Sequence, residues 1–314
     1  MTVQLLGPSE IRALAEQLDV TPTKKLGQNF VIDGNTVRRI VKTADVRPGD
    51  RVVEVGPGLG SLTLGIIEAG ASVTAVEIDH RLAAQLAVTC AAQGAPEGSL
   101  TVVDADALRV TELPGEPGTL VANLPYNVSV PVLLYFMETF PFLNKGVVMV
   151  QAEVGHRLAA PPGSKVYGAP SAKAAWYGPW RLAGNISRQV FWPVPNVDSV
   201  LVGFTRNPEA RGTEEERVRT FKIVDAAFQQ RRKMLRQALA VVLGGTAAEA
   251  TAVLEAAGVA PTARGEELTI EQFLAIARAA QASPAPAGPT RAARFVASSA
   301  PSPVGRAGDV HHPL

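Results

Sequence analysis

Five short runs of β-branched and other apolar residues lie between about residues 52 and 204, and stretches with helical spacing separate them. The runs read RVVEVG, SVTAVEID, LTVVDAD, TLVANL and GVVMVQ. Strands that alternate with helices form a parallel sheet with helices packed on both of its faces. The pattern therefore predicts an α/β core.

Only helical patterns follow Arg206. They read EEERVRTFKIVDAAF, KMLRQALAVVL, AAEATAVLEAAG and TIEQFLAIARAAQ, and Gly258 stands where a helix C-cap belongs. From Ser283 the composition changes to Pro, Ala, Ser and Gly with scattered Arg, which is too poor in large apolar residues to offset the entropy of ordering. We expect a small all-helical domain and then a disordered tail.

A further helical pattern, GPSEIRALAEQLDV, precedes the core and leads into the polar segment TPTKKLGQNF. A length of 314 residues fits about two folded domains. The predicted organisation is an N-terminal helix or extension (1–20), an α/β domain (21–205), a helical domain (206–281) and a disordered tail (282–314).

Composition narrows the class of protein. The chain is 46% hydrophobic and 19% charged, which is typical of a globular protein. No apolar run approaches the roughly 18 residues that span a membrane, and the N-terminus does not resemble a signal peptide. We expect a cytoplasmic protein with no membrane partner. The single cysteine, Cys90, lies in an amphipathic helical pattern and is expected to pack, not to react.

A glycine-rich turn carries the first candidate chemistry. In VVEVGPGLGSLT, Gly56, Gly58 and Gly60 come directly after an apolar strand, where missing side chains let the backbone approach a ligand closely. Glu77 ends the next strand, where an open α/β sheet presents a carboxylate that can accept bonds from both hydroxyls of a ribose. These features predict a nucleoside site.

Dinucleotide-binding proteins use the same strand, turn and acidic residue, so the glycine spacing matters. Their fingerprint needs a third glycine three positions after the second, and Ser61 occupies that position here. Binding of a methyl donor, S-adenosylmethionine, becomes the better interpretation. Asp106, after the third strand, is placed to accept from the adenine amino group, whereas Asp104 is expected to point the other way.

The fourth strand runs into Asn123-Leu124-Pro125-Tyr126. An adenine amino nitrogen is a poor nucleophile because its lone pair is delocalised into the ring, so an enzyme must hold it as positive charge develops. The Asn123 side-chain oxygen and the Leu124 carbonyl can accept the two amino hydrogens, and Pro125 stiffens the turn. Tyr126 supplies a flat face for an unstacked base.

This tetrapeptide is shared by methyltransferases that act on exocyclic amino groups of nucleobases, and the wider sequence resembles the KsgA family of ribosomal RNA adenine dimethyltransferases. The matching segments are KKLGQNFVID, QAEVGHRLAAPPGSKVYGAPS, FWPVPNVDS and FQQRRKMLRQAL, and the resemblance extends from about Thr21 to Ala280. It implies a Rossmann-like class I S-adenosylmethionine-dependent methyltransferase domain followed by a helical domain.

The resemblance also implies roles for individual residues. Residues matching Asn29 and Val31 touch the methyl donor, and the residue matching Phe191 stacks on the target base opposite Tyr126. No metal is implied. The chain departs from the family at Val31, where Leu is common, at Trp192, which replaces a smaller residue, and in its C-terminal tail.

The implied reaction transfers methyl groups to N6 of two adjacent adenosines in a hairpin loop near the 3′ end of 16S ribosomal RNA. The implied partner is the small ribosomal subunit, and we expect a monomer. A net charge of +1 gives no global basic field, so RNA contacts must come from local clusters. The densest cluster is in the helical motif: Arg231, Arg232, Lys233 and Arg236. Lys24 and Lys25 are a second, weaker candidate.

Three alternatives stay open at the level of sequence. An Erm-type enzyme would use the same chemistry on large-subunit RNA, although the continuation Asn127-Val128-Ser129 and the helical motif look closer to the small-subunit family. A ribosome-assembly checkpoint would bind the subunit without depending on methylation. An NAD-dependent enzyme is the least favoured, because His80 and His156 both fall on predicted helices away from the cleft.

Overall fold

The computed structural model describes residues 2–20, 29–125 and 128–282. Its strands are β1 (Phe30–Val31), β2 (Arg51–Val55), β3 (Ser72–Glu77), β4 (Leu100–Asp104), β5 (Thr119–Asn123), β6 (Lys145–Gln151), β7 (Trp180–Ile186), β8 (Phe191–Trp192) and β9 (Ser199–Thr205). Its α-helices are α1 (Pro8–Gln17), α2 (Gly34–Thr43), α3 (Ser61–Glu68), α4 (His80–Ala92), α5 (Ser129–Thr139), α6 (Ala152–Leu158), α7 (Ala169–Tyr177), α8 (Glu214–Gln229), α9 (Leu235–Ala238), α10 (Ala247–Ala256) and α11 (Ile270–Ala282). Short 3-10 turns lie at Arg188–Val190, Ala240–Val242 and Gly265–Glu267.

Seven strands form one sheet in the order β4-β3-β2-β5-β6-β9-β7. The first five are parallel, whereas β9 runs antiparallel to β6 and β7 runs antiparallel to β9. The predicted α/β class is confirmed, and the five strands predicted from the sequence are the five parallel ones; the antiparallel edge of β9 and β7 was not predicted. The connection 187–198 carries no α-helix to cross over the sheet, so β7 and β9 pair antiparallel.

The order of the parallel strands creates a crevice. From β2 the chain builds outward through β3 to β4, and then returns to place β5 on the other side of β2. The helices that follow β2 and β5 therefore depart in opposite directions. An open α/β sheet binds ligands where its strand order reverses in this way, outside the carboxyl ends of the strands. The described residues at this crevice are 56–61, after β2, and 123–125, at the end of β5.

Local sequence explains the elements around this crevice. Val52, Val53 and Val55 are buried, as expected of a central strand that is covered on both faces. Helix α3 is buried over Ser61–Ile67, which agrees with its nearly continuous apolar sequence. Helix α2 begins at an N-cap, where the Asp33 carboxylate accepts from the Thr36 backbone N–H at 2.8 Å.

The helices after residue 213 do not close a separate core. Leu239, Leu254 and Phe273 belong to the same contiguous buried cluster as Phe136 of α5 and Val148 of β6. A second cluster joins α1, α2 and α3 to the other face of the sheet. The division at residue 206 therefore stays a prediction about domains, although the sheet does end at Thr205. The predicted tail lies outside the described residues beyond Ala282, which ends α11.

One predicted helix is largely wrong. KMLRQALAVVL was expected to form a continuous helix, but only Leu235–Ala238 is α-helical, and a 3-10 turn follows at Ala240–Val242. The Leu235 and Arg236 backbone N–H groups donate to Ala263 O and Pro261 O at 2.8 and 3.1 Å. These tertiary bonds occupy the first turn, and the two glycines after Leu243 end the segment.

None of the described helices combines the length and the apolar character that crossing a lipid bilayer requires. The prediction that Cys90 packs is confirmed, because the residue is 2% exposed. Burial raises the pKa of its thiol to about 12, so the group is neutral and inert at neutral pH.

We predict that Arg217→Ala weakens the attachment of α8 to α5. The Arg217 guanidinium donates to both Glu214 carboxylate oxygens and to Glu138, and lies 5.0 Å from the Phe221 ring centre. The expected loss in free energy of unfolding is about 1–3 kcal/mol, because the arginine is buried while both carboxylates stay partly in water. Urea denaturation measures it, with Lys222→Ala on the exposed side of the same helix as the control. Equal losses in the two variants would contradict the prediction.

Candidate functional site

A cavity of about 550 Å³ opens at the carboxyl ends of β2, β3 and β5. This volume lies within the roughly 300–1,000 Å³ of small-molecule sites. Nine of the residues proposed from the sequence line the cavity: Asn29, Val31, Gly56, Gly58, Glu77, Asp106, Asn123, Leu124 and Pro125. The structure brings these residues together, and their individual roles stay predictions.

The glycine-rich turn forms the floor of the cavity. Gly58 has φ +58°, a left-handed conformation that side chains disfavour. A Cβ atom at this position would lie 2.9 Å from Cε1 of Phe30. The turn therefore needs glycine at residue 58 twice over, for its backbone angle and for the close approach of the Phe30 ring.

Glu77 lies beside this turn and is 4% exposed. Its Oε2 accepts from the Gly58 N–H at 3.1 Å, and its Oε1 accepts from the Ile78 and Asp79 N–H groups at 2.9 and 3.0 Å. Burial raises the pKa of this carboxyl, and the three backbone donors act in the opposite direction. Oε1 already accepts two bonds, so Oε2 has the greater remaining capacity for a ligand hydroxyl.

Asp106 lines the cavity, and Asp104 does not. Asp106 Oδ1 accepts from the Leu108 N–H at 2.9 Å, whereas Asp104 lies 2.6 Å from Nδ1 of the exposed His80. The sequence argument separated the two by strand alternation, which is the wrong reason, because residues two apart on one strand share a face. The separation arises because β4 ends at Asp104 and the chain turns toward the cavity at Ala105.

Asn123 ends β5 with its side chain fixed. Its Nδ2 donates to the Asn29 carbonyl at 3.0 Å, which directs the amide oxygen Oδ1 away from Asn29. The next two residues are held by backbone bonds, from Leu124 N–H to Met149 O at 3.1 Å and from Val128 N–H to Pro125 O at 3.3 Å. Tyr126 and Asn127 lie outside the described residues, as do Lys24 and Lys25.

Phe191, for which the resemblance implies stacking on the target base, is buried in this conformation. It lies in β8, opposite Val31 of β1, and is 1% exposed. It is not among the residues that line the cavity, so no face of its ring is open to a base in this conformation. The neighbouring Trp192, noted in the sequence only as a departure, stacks on Phe30 with ring centres 6.4 Å apart. Its stacking on a base stays a prediction that requires the ring to become uncovered.

Sequence reasoning missed Glu54, the one acidic residue inside the apolar run of β2. It lines the cavity, is 1% exposed, and accepts from Thr63 Oγ1 at 2.5 Å. Burial raises the pKa of Glu54 to about 8, and the nearby negative charge of Glu77 adds to the rise. A charged residue within a central strand was the available signal.

Three other lining residues were also missed. The Ser61 hydroxyl is buried and has no hydrogen-bond partner among the described residues, so it can accept or donate to a ligand. Ile78 and Leu108 line the cavity with large exposed apolar side chains, 64% and 37% exposed respectively. Their positions next to Glu77 and close to Asp106 suit the two faces of a planar ring.

The basic cluster divides into engaged and open side chains. Arg231 donates from Nε to Glu266 and from Nη2 to the Lys165 carbonyl, both at 2.7 Å. Arg232 and Lys233 are exposed and Arg236 is half-buried. These three form no ion pair within the described parts of the chain. The four residues are therefore not equivalent as candidate RNA contacts.

Comparison with known proteins agrees with this site. A family model described as ribosomal RNA adenine dimethylase matches residues 21–282. The chain is 69% identical over 277 residues to ribosomal RNA small subunit methyltransferase A of Leifsonia xyli, covering 88% of this chain and 98% of that protein. It is 60% identical over 275 residues to the protein of the same name from Streptomyces coelicolor, covering 87% and 96%.

Solved structures resemble the fold. The 23S rRNA methyltransferase ErmE superposes with a TM-score of 0.61 at 27% identity, over 81% of this chain and 100% of that one. A dimethyladenosine transferase from Plasmodium falciparum gives a TM-score of 0.67 at 22% identity, over 78% and 94%. The second likeness concerns the fold alone.

We predict that Glu54→Gln flattens the pH dependence of the melting temperature. Because the folded-state pKa is raised to about 8 from its ordinary 4.5, the stability due to neutral Glu54 is complete below about pH 4.5 and is lost as pH rises through about 8. In that window it falls by about 1.4 kcal/mol per pH unit at most. Glutamine cannot ionise, so its melting temperature should fall less between pH 5 and 8.

Differential scanning calorimetry across this range measures the effect. Glu97→Gln removes an exposed carboxylate from the loop before β4 and should leave the wild-type profile unchanged. Parallel profiles for wild type and Glu54→Gln would show that Glu54 carries no raised pKa.

Proposed function

The chain belongs to the ribosomal RNA adenine dimethylase family, and from this membership we propose that it methylates N6 of two adjacent adenosines in a hairpin loop near the 3′ end of 16S ribosomal RNA. It is an S-adenosylmethionine-dependent methyltransferase with a Rossmann-like class I fold. The proposed product is N6,N6-dimethyladenosine at both positions, and the proposed role is in small-subunit biogenesis. The fixed Asn123 amide at the mouth of a nucleoside cavity is the observation that carries the proposal.

Small-subunit RNA is favoured over large-subunit RNA by degree of similarity. Relatives named for the small subunit are 69% and 60% identical over almost their whole length, whereas the 23S enzyme is 27% identical. The fold does not separate the two substrates, because the 23S enzyme shares it.

The cavity fits S-adenosylmethionine. Glu77 would accept from the ribose, Asp106 from the adenine amino group, and the unpaired Ser61 hydroxyl would meet a polar group of the donor. Asn29 and Val31 would complete the site from the side of β1. When bound, the donor supplies an electrophilic methyl group attached to sulfur. The proposal involves no metal.

The residues at the end of β5 can supply the two hydrogen-bond acceptors that the adenine amino group needs. Asn123 Oδ1 and the Leu124 carbonyl would each accept one amino hydrogen, which orients the nitrogen lone pair and stabilises positive charge as it develops on nitrogen. The bond from Asn123 Nδ2 to Asn29 O holds the amide in that orientation before the base arrives. Pro125 restricts the turn. A methylated amino nitrogen is acidic enough to lose its extra proton to water, so no general base of matched pKa is required.

The base itself is proposed to lie between Tyr126 and Phe191. Tyr126 is outside the described residues, and Phe191 is covered in the present conformation. Entry of the base therefore requires β8 or its cover to move. Extruding an adenosine from its loop costs a few kcal/mol of stacking, which two aromatic faces would offset.

We propose that the partner of the chain is the small ribosomal subunit and that its location is the cytoplasm, where ribosomal subunits assemble. We propose that it acts as a monomer. Arg232, Lys233 and Arg236 are proposed to contact RNA phosphates, because they are the members of the basic cluster whose side chains are not engaged in ion pairs within the described residues.

We predict that Asn123→Ala lowers the rate constant for methylation by roughly 10²–10³-fold, the usual effect of removing one preorganised partner of a developing charge. The purified protein is incubated with tritiated S-adenosylmethionine and undermethylated small subunits, large subunits or naked RNA, and modified nucleotides are mapped by mass spectrometry. Asn185→Ala, an exposed asparagine on β7, is the control and should keep the wild-type rate.

Label at two adjacent small-subunit adenosines supports the proposal, and label in the large-subunit RNA would favour the Erm-type alternative. No label on any substrate would refute both. Subunit binding is measured in parallel, because an assembly checkpoint predicts that Asn123→Ala keeps subunit binding and its growth effect while losing methylation.

We predict that Gly58→Ala raises the Kd for S-adenosylmethionine at least tenfold. The new Cβ would contact the Phe30 ring at 2.9 Å and displace the N–H that orients Glu77. Gly98→Ala is the matched control, since Gly98 also has a positive φ, +76°, and open space around it. Both variants should lose about 1–2 kcal/mol of stability to backbone strain, but calorimetric titration should show weakened binding only for Gly58→Ala. Equal Kd values in the two variants would contradict the assigned close approach.

A further inference from the structure

Three separate segments of the chain meet where α8 ends and α9 begins. The loop between α6 and α7 contributes residues 163–167, the segment that runs from the end of α8 into α9 contributes 230–236, and the segment before α11 contributes 261–268. The Gly163 N–H donates to the Glu266 carbonyl at 2.7 Å, and the buried Tyr167 hydroxyl donates to the Leu268 carbonyl at 2.8 Å. Sequence positions about 100 residues apart are thus fixed next to one another.

Arg231 is the side chain that joins all three segments. Arg231 lies just after α8. Its Nε donates to the Glu266 carboxylate and its Nη2 donates to the Lys165 carbonyl, both at 2.7 Å. Two donors of one planar guanidinium are therefore aimed at two different segments, a geometry that a lysine ammonium does not reproduce. Its positive charge is used within the protein, against Glu266.

The cations around this junction are in excess and face solvent. The three segments contain six basic residues and two acidic ones, Glu266 and Glu267. Lys165, Arg232, Lys233 and Arg264 are exposed, and none of them forms an ion pair within the described residues. Only two of these four, Arg232 and Lys233, belong to the helical sequence motif.

We propose that Arg231 is a positioning residue, and that the RNA-binding surface is a composite of Lys165, Arg232, Lys233, Arg236 and Arg264, which we name the junction surface. Its ligand is the phosphate backbone of RNA. Arg231 holds the α6–α7 loop and the segment before α11 against the end of α8, and so places Lys165 and Arg264 beside the cations of the helical motif. This inference rests on the proposed function.

A phosphate backbone is the partner that this chemistry fits. Lys and Arg side chains from several segments that form no ion pair within the described residues suit phosphates, whose contacts read no sequence. The chain as a whole carries a charge of only +1, so a local excess of this size stands out against its surroundings. The junction surface would bind the RNA backbone, and the cavity at the carboxyl ends of β2, β3 and β5 would act on a separate adenosine.

The first test measures the affinity of small ribosomal subunits for the full-length protein across a series of salt concentrations. Each lost phosphate contact reduces the slope of log K against log salt by about 1. Lys165→Gln, Arg264→Gln and Arg232→Gln should each reduce the slope by that amount. Arg12→Gln, an exposed cation on α1, is the control and should leave the slope unchanged.

The second test separates positioning from direct contact. Arg231→Lys keeps the charge but loses the two-way hydrogen bonding, so the proposal expects a severalfold loss of affinity, whereas a direct phosphate ligand would tolerate lysine. Glu266→Gln removes a negative charge next to the surface, which on electrostatic grounds alone would tighten binding. Because it breaks the Arg231 contact, we expect Glu266→Gln to bind more weakly than wild type.

Wild-type slopes in both Lys165→Gln and Arg264→Gln, wild-type affinity in Arg231→Lys, or tighter binding in Glu266→Gln would each overturn the inference. If wild type still methylates small subunits in such a case, the proposed function stands and only the junction surface fails. If wild type neither binds nor methylates them, both fail. Thermal melts of all variants confirm that the protein is folded at the temperature of the binding measurement.

Discussion

The reversal of strand order between β2 and β5 is the constraint on which the rest of the structure depends. Because the chain leaves β2 in one direction and returns to build β5 on its other side, a crevice opens at the carboxyl ends of these strands. Glu77 and Asn123 end strands at this crevice, and the glycine-rich turn and Asp106 come shortly after strands that end there. The proposed nucleoside site and the proposed amide acceptor therefore both depend on this one reversal of strand order.

Much of the site could be predicted from sequence because its signals are local. A strand followed by G-P-G-L-G, and a strand that ends in Asn-Leu-Pro-Tyr, each carry their meaning within a few residues. The antiparallel edge could not be predicted, because the sequence of residues 180–186 does not determine which strand they pair with or in which direction. Nor could the covering of Phe191, which depends on the pairing of two-residue strands 160 positions apart in sequence, Phe30–Val31 and Phe191–Trp192.

Charged residues show the same limit in a sharper form. Arg231 and Arg232 are adjacent and chemically identical, yet one is bound to Glu266 and Lys165 while the other is exposed. Glu54 and Glu77 both come from apolar strands, and only Glu77 receives backbone donors from a turn. Burial and hydrogen-bond partners decide what each group does, and both arise from tertiary contacts that sequence spacing does not encode.

The ribbon formed by β1 and β8 contributes Phe30 and Val31 to the lining of the cavity and holds Phe191 buried opposite Val31. Trp192 stacks on Phe30, and the Phe30 ring leaves room at residue 58 for nothing larger than hydrogen. A movement of β8 that uncovered Phe191 would also displace Trp192, and with it the Phe30 ring that packs against Gly58 on the floor of the cavity. If this movement of β8 changes the affinity for the methyl donor, thermodynamic reciprocity requires that the bound donor change the equilibrium of the movement by the same factor. With such a coupling, an enzyme that exchanges its donor after every methyl group would also shift the equilibrium that exposes Phe191 at each exchange.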